Sequence, residues 1–406
     1  MSWSTARHLS TATALCFVPL LVVLAQDKPA DPTKKAADTA KKTAPNTDLP
    51  ILPTRQASFT TDEGTWMSLD VSPDGRTIVF DLDGDLYTVP TTGGKATRIT
   101  SGMGFDGQPR FSPDGKTIAF VSDRSGYENL WLVEPSGANV RAITKDKDAQ
   151  YISPDWTHDG KYIVVSRNKQ GILGSRYDLV LVNRNGGTGI AITGKGTGAP
   201  SGPPDPLNPP SFDNYLGASV TPDNRYIYAA VKRGGFRYNQ MLEDRWQLGV
   251  YDRNTGKTYQ RTTNVGGAMR PAVSPDGKWL AYGSRLDSKT ALRVRNLASG
   301  DEVWVARDIQ RDDSESRFTR DLLPGYAWTP DSRAIVITNG GKLWKLDVPG
   351  GNATPIPFFA DVQVDLGPLV KFDYPIDDSV LVVKQIRNAR PSPNGKQLTF
   401  TALDKL

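Results

Sequence analysis

Chemistry in this chain of 406 residues has to be built with almost no imidazole or thiol: two histidines occur, His8 and His158, and one cysteine, Cys16. A Ser-His-Asp or Cys-His arrangement needs a histidine base, and zinc centres need His or Cys ligands. His8 and Cys16 fall in an N-terminal targeting segment, which leaves His158 alone. It occupies Thr157-His158-Asp159-Gly160, where its neighbours spell a tight turn and no nucleophile motif accompanies it, so it reads as structural. Oxygen ligands remain. Asp81-Leu82-Asp83-Gly84-Asp85 sets three carboxylates at alternate positions around a glycine. That spacing leaves calcium ligation by Asp81, Asp83 and Asp85 as one reading. The downstream glutamate of a full EF-hand loop is missing, and the other reading is an acidic hairpin turn between two strands. Among 44 acidic residues no spacing singles out a pair for glycoside chemistry. The Gly-Gly pairs are hairpin turns and not phosphate cradles, because no helix follows them. Trp131, Trp246, Trp279 and Trp344 sit inside strand patterns and read as core, with a carbohydrate- or peptide-stacking surface as the alternative. The sequence therefore assigns no catalytic residue, no cofactor and no binding residue.

The elements that would position such side chains come from a repeat. Ser72-Pro73-Asp74-Gly75 recurs as Ser112-Pro113-Asp114-Gly115, Thr157-His158-Asp159-Gly160, Thr221-Pro222-Asp223-Asn224, Ser274-Pro275-Asp276-Gly277, Thr329-Pro330-Asp331-Ser332 and Ser392-Pro393-Asn394-Gly395. Proline pre-sets the backbone, Asp or Asn bonds back to nearby amides, and Gly or Asn accepts positive φ, so each phrase is a turn. A β-prone run follows each one: Thr77–Phe80, Thr117–Phe120, Tyr162–Val165, Tyr226–Tyr228, Trp279–Tyr282, Ala334–Ile337 and Leu398–Phe400. These read as strands buried on both faces. A second hairpin comes next, as in Asp85–Val89 turning at Gly93-Gly94 into Thr97–Thr100. A four-stranded antiparallel unit of about 40 residues, repeated with loop insertions, predicts an all-β propeller over 51–406, with six complete units and a truncated seventh. The largest insertion, Gly194 to Tyr215, reads as a long loop on one face.

Ahead of the repeats, Arg7 and His8 precede an apolar stretch from Ala12 to Ala25, the pattern of a signal peptide cleaved near Ala25. Residues 26–50 are polar and read as a solvated linker. A periplasmic or extracellular location is expected, with no membrane span after cleavage and a mature chain without cysteine. The net charge of +5 is partly in the leader and linker, and no basic cluster marks the folded part, which argues against nucleic acid. In the seventh copy Asp404-Lys405-Leu406 matches the opening of a third strand, as in Gly341-Lys342-Leu343-Trp344. The expectation is that the chain is the front part of a longer product, with Arg55–Thr60 as an orphan fourth strand that pairs with blade seven and closes the ring.

The Ser-Pro-Asp-Gly-Lys/Arg unit, with Asp123-Arg124-Ser125-Gly126 or Gly84-Asp85-Leu86-Tyr87 after it and Arg-x-Ile-Thr closing it, resembles the TolB-type propeller repeat over about residues 55 to 406. That repeat occurs in TolB, in the propellers of prolyl-oligopeptidase-like enzymes and tricorn-type proteases, and in secreted amidohydrolases. Phe59–Val71, Gly234–Asn239 and Trp246-Gln247-Leu248 look most like the N-terminal propeller of exported bacterial amidohydrolases. The resemblance implies a non-catalytic module that gates or docks substrate for a metal-dependent domain beyond the propeller. Its partner would be that hydrolase domain, or a protein or peptide; no catalytic residue carries over to this chain. The alternatives are a stand-alone TolB-like binder and the propeller of a prolyl-oligopeptidase- or tricorn-like peptidase.

Overall fold

The computed structural model of the protein describes residues 52–171, 174–193, 213–233, 246–314, 321–369, 380 and 382–406. The leader, the linker, most of the 194–215 insertion and the Gly234–Asn239 motif lie outside the described residues. Among the described residues there is no helix, and six four-stranded antiparallel sheets follow one another at 69–98, 106–142, 149–191, 213–260, 269–306 and 327–356. These are blades 1 to 6. In blade 1 the strands run Leu69–Val71, Thr77–Leu82, Asp85–Pro90 and Gly94–Arg98.

Why the second strand of each blade is an unbroken apolar run follows from its place between two neighbours. Side chains alternate along a strand, so Ile78 and Phe80 point one way and Val79 the other; all three are fully buried. Ile78 and Phe80 pack with Ala327, Val336 and Leu343 of blade 6, while Val79 packs with Phe111, Ile118 and Phe120 of blade 2. Each interface between blades has its own apolar cluster of this kind. At about 1.5–3 kcal/mol per buried large aliphatic or aromatic side chain, these faces supply the main force holding the ring.

The turn phrase closes on itself and then on the next blade. Ser72 Oγ donates to Asp74 Oδ1 at 2.6 Å and accepts from the Thr77 amide at 2.9 Å, while the Gly75 amide reaches Ser72 O at 2.8 Å. The Ser72 hydroxyl bond is the main reason the Asp74 carboxyl lies below its ordinary range. Gly75, at φ 71°, presents its bare Cα face to Pro330 of blade 6, where an added Cβ would stand 3.5 Å from the proline ring. Gly115 faces Pro73, Gly160 faces Pro113 and Gly277 faces Pro222 in the same way. In the two remaining steps a side chain makes the link: Asn224 Oδ1 accepts from the His158 amide at 2.7 Å, and Ser332 Oγ from the Asp276 amide at 3.0 Å. Six such steps make a complete circle.

Beyond blade 6 the strand Phe358–Leu366 pairs in parallel with Gly94–Ala96 on the outer edge of blade 1, and Arg55–Thr61 pairs antiparallel with it, from Arg55↔Leu366 to Thr61↔Ala360. The expected pairing of Arg55–Thr60 with blade seven is thereby corrected. Blade 6 already contacts blade 1 directly, with the Leu69 amide on Gly325 O at 2.9 Å and the Gly325 amide on Ser68 Oγ at 3.0 Å, so no gap in the ring is left for that strand to fill. The seventh repeat forms a hairpin of Arg387–Pro391 and Leu398–Thr401 with the same turn bonds, Ser392 Oγ to Asn394 Oδ1 at 2.7 Å and the Gln397 amide to Ser392 Oγ at 3.0 Å. It stays exposed and outside the six-blade circle.

Candidate binding face

First strands line the axis, and in blades 2 to 5 their geometry is set by a bulge four residues before the turn. Gln108, Ser153, Gly217 and Arg270 occupy this position in blades 2 to 5, all with φ between 50° and 62°, and the sheet register slips at each. A bulge of this kind re-aims a side chain. Ser68 and Gly325 hold the same position in blades 1 and 6.

The re-aimed side chains fill the axis. Arg270 Nη1 lies 2.7 Å from Asp321 Oδ2, with the two side chains 4% and 1% exposed. Ser153 Oγ donates to the same carboxylate, the Ser153 amide donates to Gln108 Oε1 at 2.7 Å, and the Gln108 amide donates to Asp81 Oδ2 at 2.8 Å. Arg110, two residues before its turn, donates to Leu69 O of blade 1. Gly325 makes room for both guanidinium groups, since an added Cβ would stand 2.8 Å from Arg110 and 3.1 Å from Arg270. Burial and the neighbouring Arg270 hold Arg110 below its ordinary pKa. Burial pushes Asp70 up to about 6 and raises Asp155, with Arg110 opposing in both cases. Asp70 Oδ2 accepts the Phe111 amide of blade 2 at 2.7 Å, and Asp155 Oδ2 the Val220 amide of blade 4 at 2.9 Å. Between blades 4 and 5 the Ser219 hydroxyl accepts the Val273 amide at 3.0 Å instead, and in two other steps a tryptophan makes the link: Trp156 Nε1 donates to Arg110 O at 3.1 Å and Trp328 Nε1 to Ala272 O at 2.9 Å. These charges serve the framework.

The Ser-Pro-Asp-Gly turns occupy one end of the ring. The turns between second and third strands and the connections between blades occupy the other, the loop face. Two cavities lined by described residues open there. One, of about 220 Å³, lies over the axial network and is lined by Trp66, Ser68, Asp81, Asp83, Phe105 and Gln108 among others. The second, of about 610 Å³, lies between blades 2 and 3 against Asp123, Tyr127, Lys147, Asp148, Gln150 and Asn168. Glu128 lines both.

The residues singled out in the sequence separate in space. Asp81 is buried, with Oδ1 on the Ser68 amide at 2.7 Å and Oδ2 on the Gln108 amide. Asp85 pairs with Arg98 at 2.8 Å, and burial, with Asp106 adding to it, drives its carboxyl up to about 7 against Arg98. Asp83 stands exposed at φ 51° in the hairpin turn. Among the described residues no group of three His, Cys, Asp or Glu side chains could hold a metal ion. A His158 ring nitrogen lies 3.2 Å from Val220 O, inside the turn-to-turn contact. Trp131 and Trp246 are buried, and Trp279 and Trp344 pack on the cluster between blades 5 and 6. What sequence reasoning missed is the bulge row and the axial arginines. Their signal is positional: four and two residues before each turn.

Comparison with known proteins follows the same lines. The family description "Tricorn protease N-terminal beta propeller domain" matches residues 42–200, which takes in blades 1 to 3. Tricorn protease homolog 1 of Streptomyces coelicolor is 28% identical over 101 residues, 25% of this chain and 10% of that protein. The uncharacterized peptidase YuxL of Bacillus subtilis is 26% identical over 208 residues, 50% of this chain and 25% of that protein. The match thus spans a quarter or less of these relatives' length. Among solved structures, TolB from Acinetobacter baumannii superposes with a TM-score of 0.52 at 17% identity, covering 73% of this chain and 65% of that one. No helix of the described residues is long and apolar enough to cross a membrane. With its turn repeat, six closed blades and these likenesses, the chain has a six-bladed β-propeller fold similar to the propeller of TolB.

Proposed function

We propose that the chain is a non-catalytic recognition module, exported after removal of residues 1–25, which docks a protein or peptide on its loop face for a hydrolase of the exported amidohydrolase type. The observation that carries this reading is the axial network. Arg270 and Ser153 both bind Asp321 across the centre, Arg110 reaches over to Leu69 O beside them, and recognition falls to the loop face above. Docking therefore describes the module better than passage of substrate along the axis. The hydrolase link draws support from the names of two of the relatives, a tricorn protease homolog and a peptidase, and from the fraction of their length that this chain matches. A prolyl-oligopeptidase- or tricorn-like peptidase is the variant of the hydrolase reading closest to those names. The fold likeness to TolB favours a second reading, a stand-alone protein-binding propeller. The test is turnover. The purified chain, incubated with peptide and cyclic amide substrates, is expected to release no product above buffer; hydrolysis at enzymic rates would refute the non-catalytic assignment.

A further inference from the structure

The loop face has a chemistry of its own. Around its two cavities stand five carboxylates, Asp81, Asp83, Asp123, Glu128 and Asp148, against one cation, Lys147, in a chain whose formal charge is +5. The smaller cavity is also aromatic. Trp66 is held at φ 50°, uncommon for a bulky residue, and lines it together with Phe105, which is 42% exposed. Two glycines keep Phe105 in place. A Cβ on Gly84 would come within 3.3 Å of its ring, and one on Gly107 within 3.4 Å of the ring and 3.1 Å of Asp81 Oδ2. The Phe105 amide is itself anchored on Asp123 Oδ1 at 2.7 Å.

Size decides what fits. At about 220 Å³ the smaller cavity falls below the ~300–1,000 Å³ of ordinary small-molecule sites, and one side chain fills it, whereas the adjoining 610 Å³ cavity lies within that range. In the wall of the larger cavity, Asn168 is 6% exposed and its Oδ1 has no hydrogen-bond partner. A buried acceptor left unmade costs about 1–3 kcal/mol. The terminal amide torsion of asparagine is broad, so a small turn presents this acceptor to a donor seated in the cavity.

We propose that this pair of cavities binds an extended basic peptide, with one arginine or lysine side chain entering the smaller cavity between Trp66 and Phe105 towards Asp81, Asp83 and Glu128, and the adjacent backbone lying along the larger one against Asn168. The aromatic walls take the aliphatic stem and, through their π faces, the cation. The carboxylates take its N–H groups in charge-assisted bonds. This inference rests on the docking reading, and it fails separately from it, because it is read by binding and not by turnover.

The experiment uses the whole chain and a fluorescein-labelled peptide, Gly-Gly-Arg-Gly-Gly-Gly, beside the same peptide with citrulline in place of arginine, which keeps the shape and removes the charge. Fluorescence anisotropy is expected to show at least tenfold tighter binding of the arginine peptide, weakening as salt rises. Asp83→Asn and Glu128→Gln should each weaken it several-fold, and Asn168→Leu should weaken both peptides. Asp83 is exposed, so its variant keeps the fold, and thermal melts check the other two. Equal affinity for the two peptides would overturn the proposal, as would an arginine-peptide affinity unchanged by Asp83→Asn and Glu128→Gln. Calcium alone binding with Asp83-dependent affinity and displacing the peptide would overturn it as well, and would make the site a metal site.

Discussion

Replacing Arg270 by methionine removes one half of an ion pair that sits at the centre of the ring. Arg270 and Asp321 are 2.7 Å apart and 4% and 1% exposed, and the Ser153 hydroxyl and the Leu322 amide, at 2.6 Å, also donate to the Asp321 carboxylate. Breaking a buried pair from one side leaves a charge without compensation and costs about 3–5 kcal/mol. The remaining Arg110 is close enough to feel Asp321, so the lower end, about 3 kcal/mol, is expected. In urea, with a slope near ~3 kcal/mol per molar for a chain of this size, that is a midpoint shift of about 1 M at pH 7.5. The double variant Arg270→Met/Asp321→Asn removes the stranded charge too. It should therefore be destabilised by about 1–3 kcal/mol less than the sum of the two single variants, the size of coupling seen between residues in direct contact. The reasoning is refuted if Arg270→Met shifts stability by less than about 1 kcal/mol, or if the double variant equals the sum of the singles with unchanged slope.

Three further outcomes are expected. Burial disfavours ionised Asp312, but bonds from Arg285 Nε and Nη2 at 2.9 and 2.8 Å, from Ser314 and from Thr290 outweigh it and hold the carboxyl at about 2. A depressed carboxyl stabilises above its unfolded value of 3.8 and loses that contribution as pH falls through 2, so Asp312→Asn should cost about 2 kcal/mol at pH 7, at ~1.4 kcal/mol per pKa unit, and little at pH 2. Asp85 has the opposite sign: raised to about 7, it favours the folded state below 3.8 and loses that contribution as pH rises through 7. The melting temperature of the parent chain should accordingly fall between pH 5.5 and 8.5 more steeply than that of Asp85→Asn, and parallel curves would contradict this. Gly93, at φ 87°, lets its hairpin approach Pro357, whose carbonyl oxygen an added Cβ would strike. Gly93→Ala should lower stability by about 1–3 kcal/mol in chemical denaturation, and a neutral result would mean that the outer strands on blade 1 are loosely held.

Much of the architecture was legible in the sequence because it is written locally. Turn chemistry in Ser72–Gly75 acts within four residues, and the alternation in Ile78-Val79-Phe80 already implies a strand pressed on both sides. Those two signals, repeated, specify antiparallel quartets packed face to face. Other features depend on residues far apart in the chain. The number of blades in the circle was decided by whether Gly75 meets Pro330 and Leu69 meets Gly325, contacts across more than 250 positions that no local pattern encodes. For the same reason Arg55–Thr61 was misplaced, since its β-prone character is local but its partner, Phe358–Leu366, was fixed by where the closed ring left a free edge. The binding face shows the same division. Asp81, Asp83 and Asp85 look like one acidic group along the chain, yet the strand pleat and the neighbouring blade send them to the axial network, the solvent-exposed turn and Arg98 respectively. Composition and spacing thus determined the elements, while the meeting of Trp66, Phe105, Glu128 and Asn168 around adjoining cavities came from the curvature of the assembled ring, a property of the packed sheets and of no single stretch of sequence.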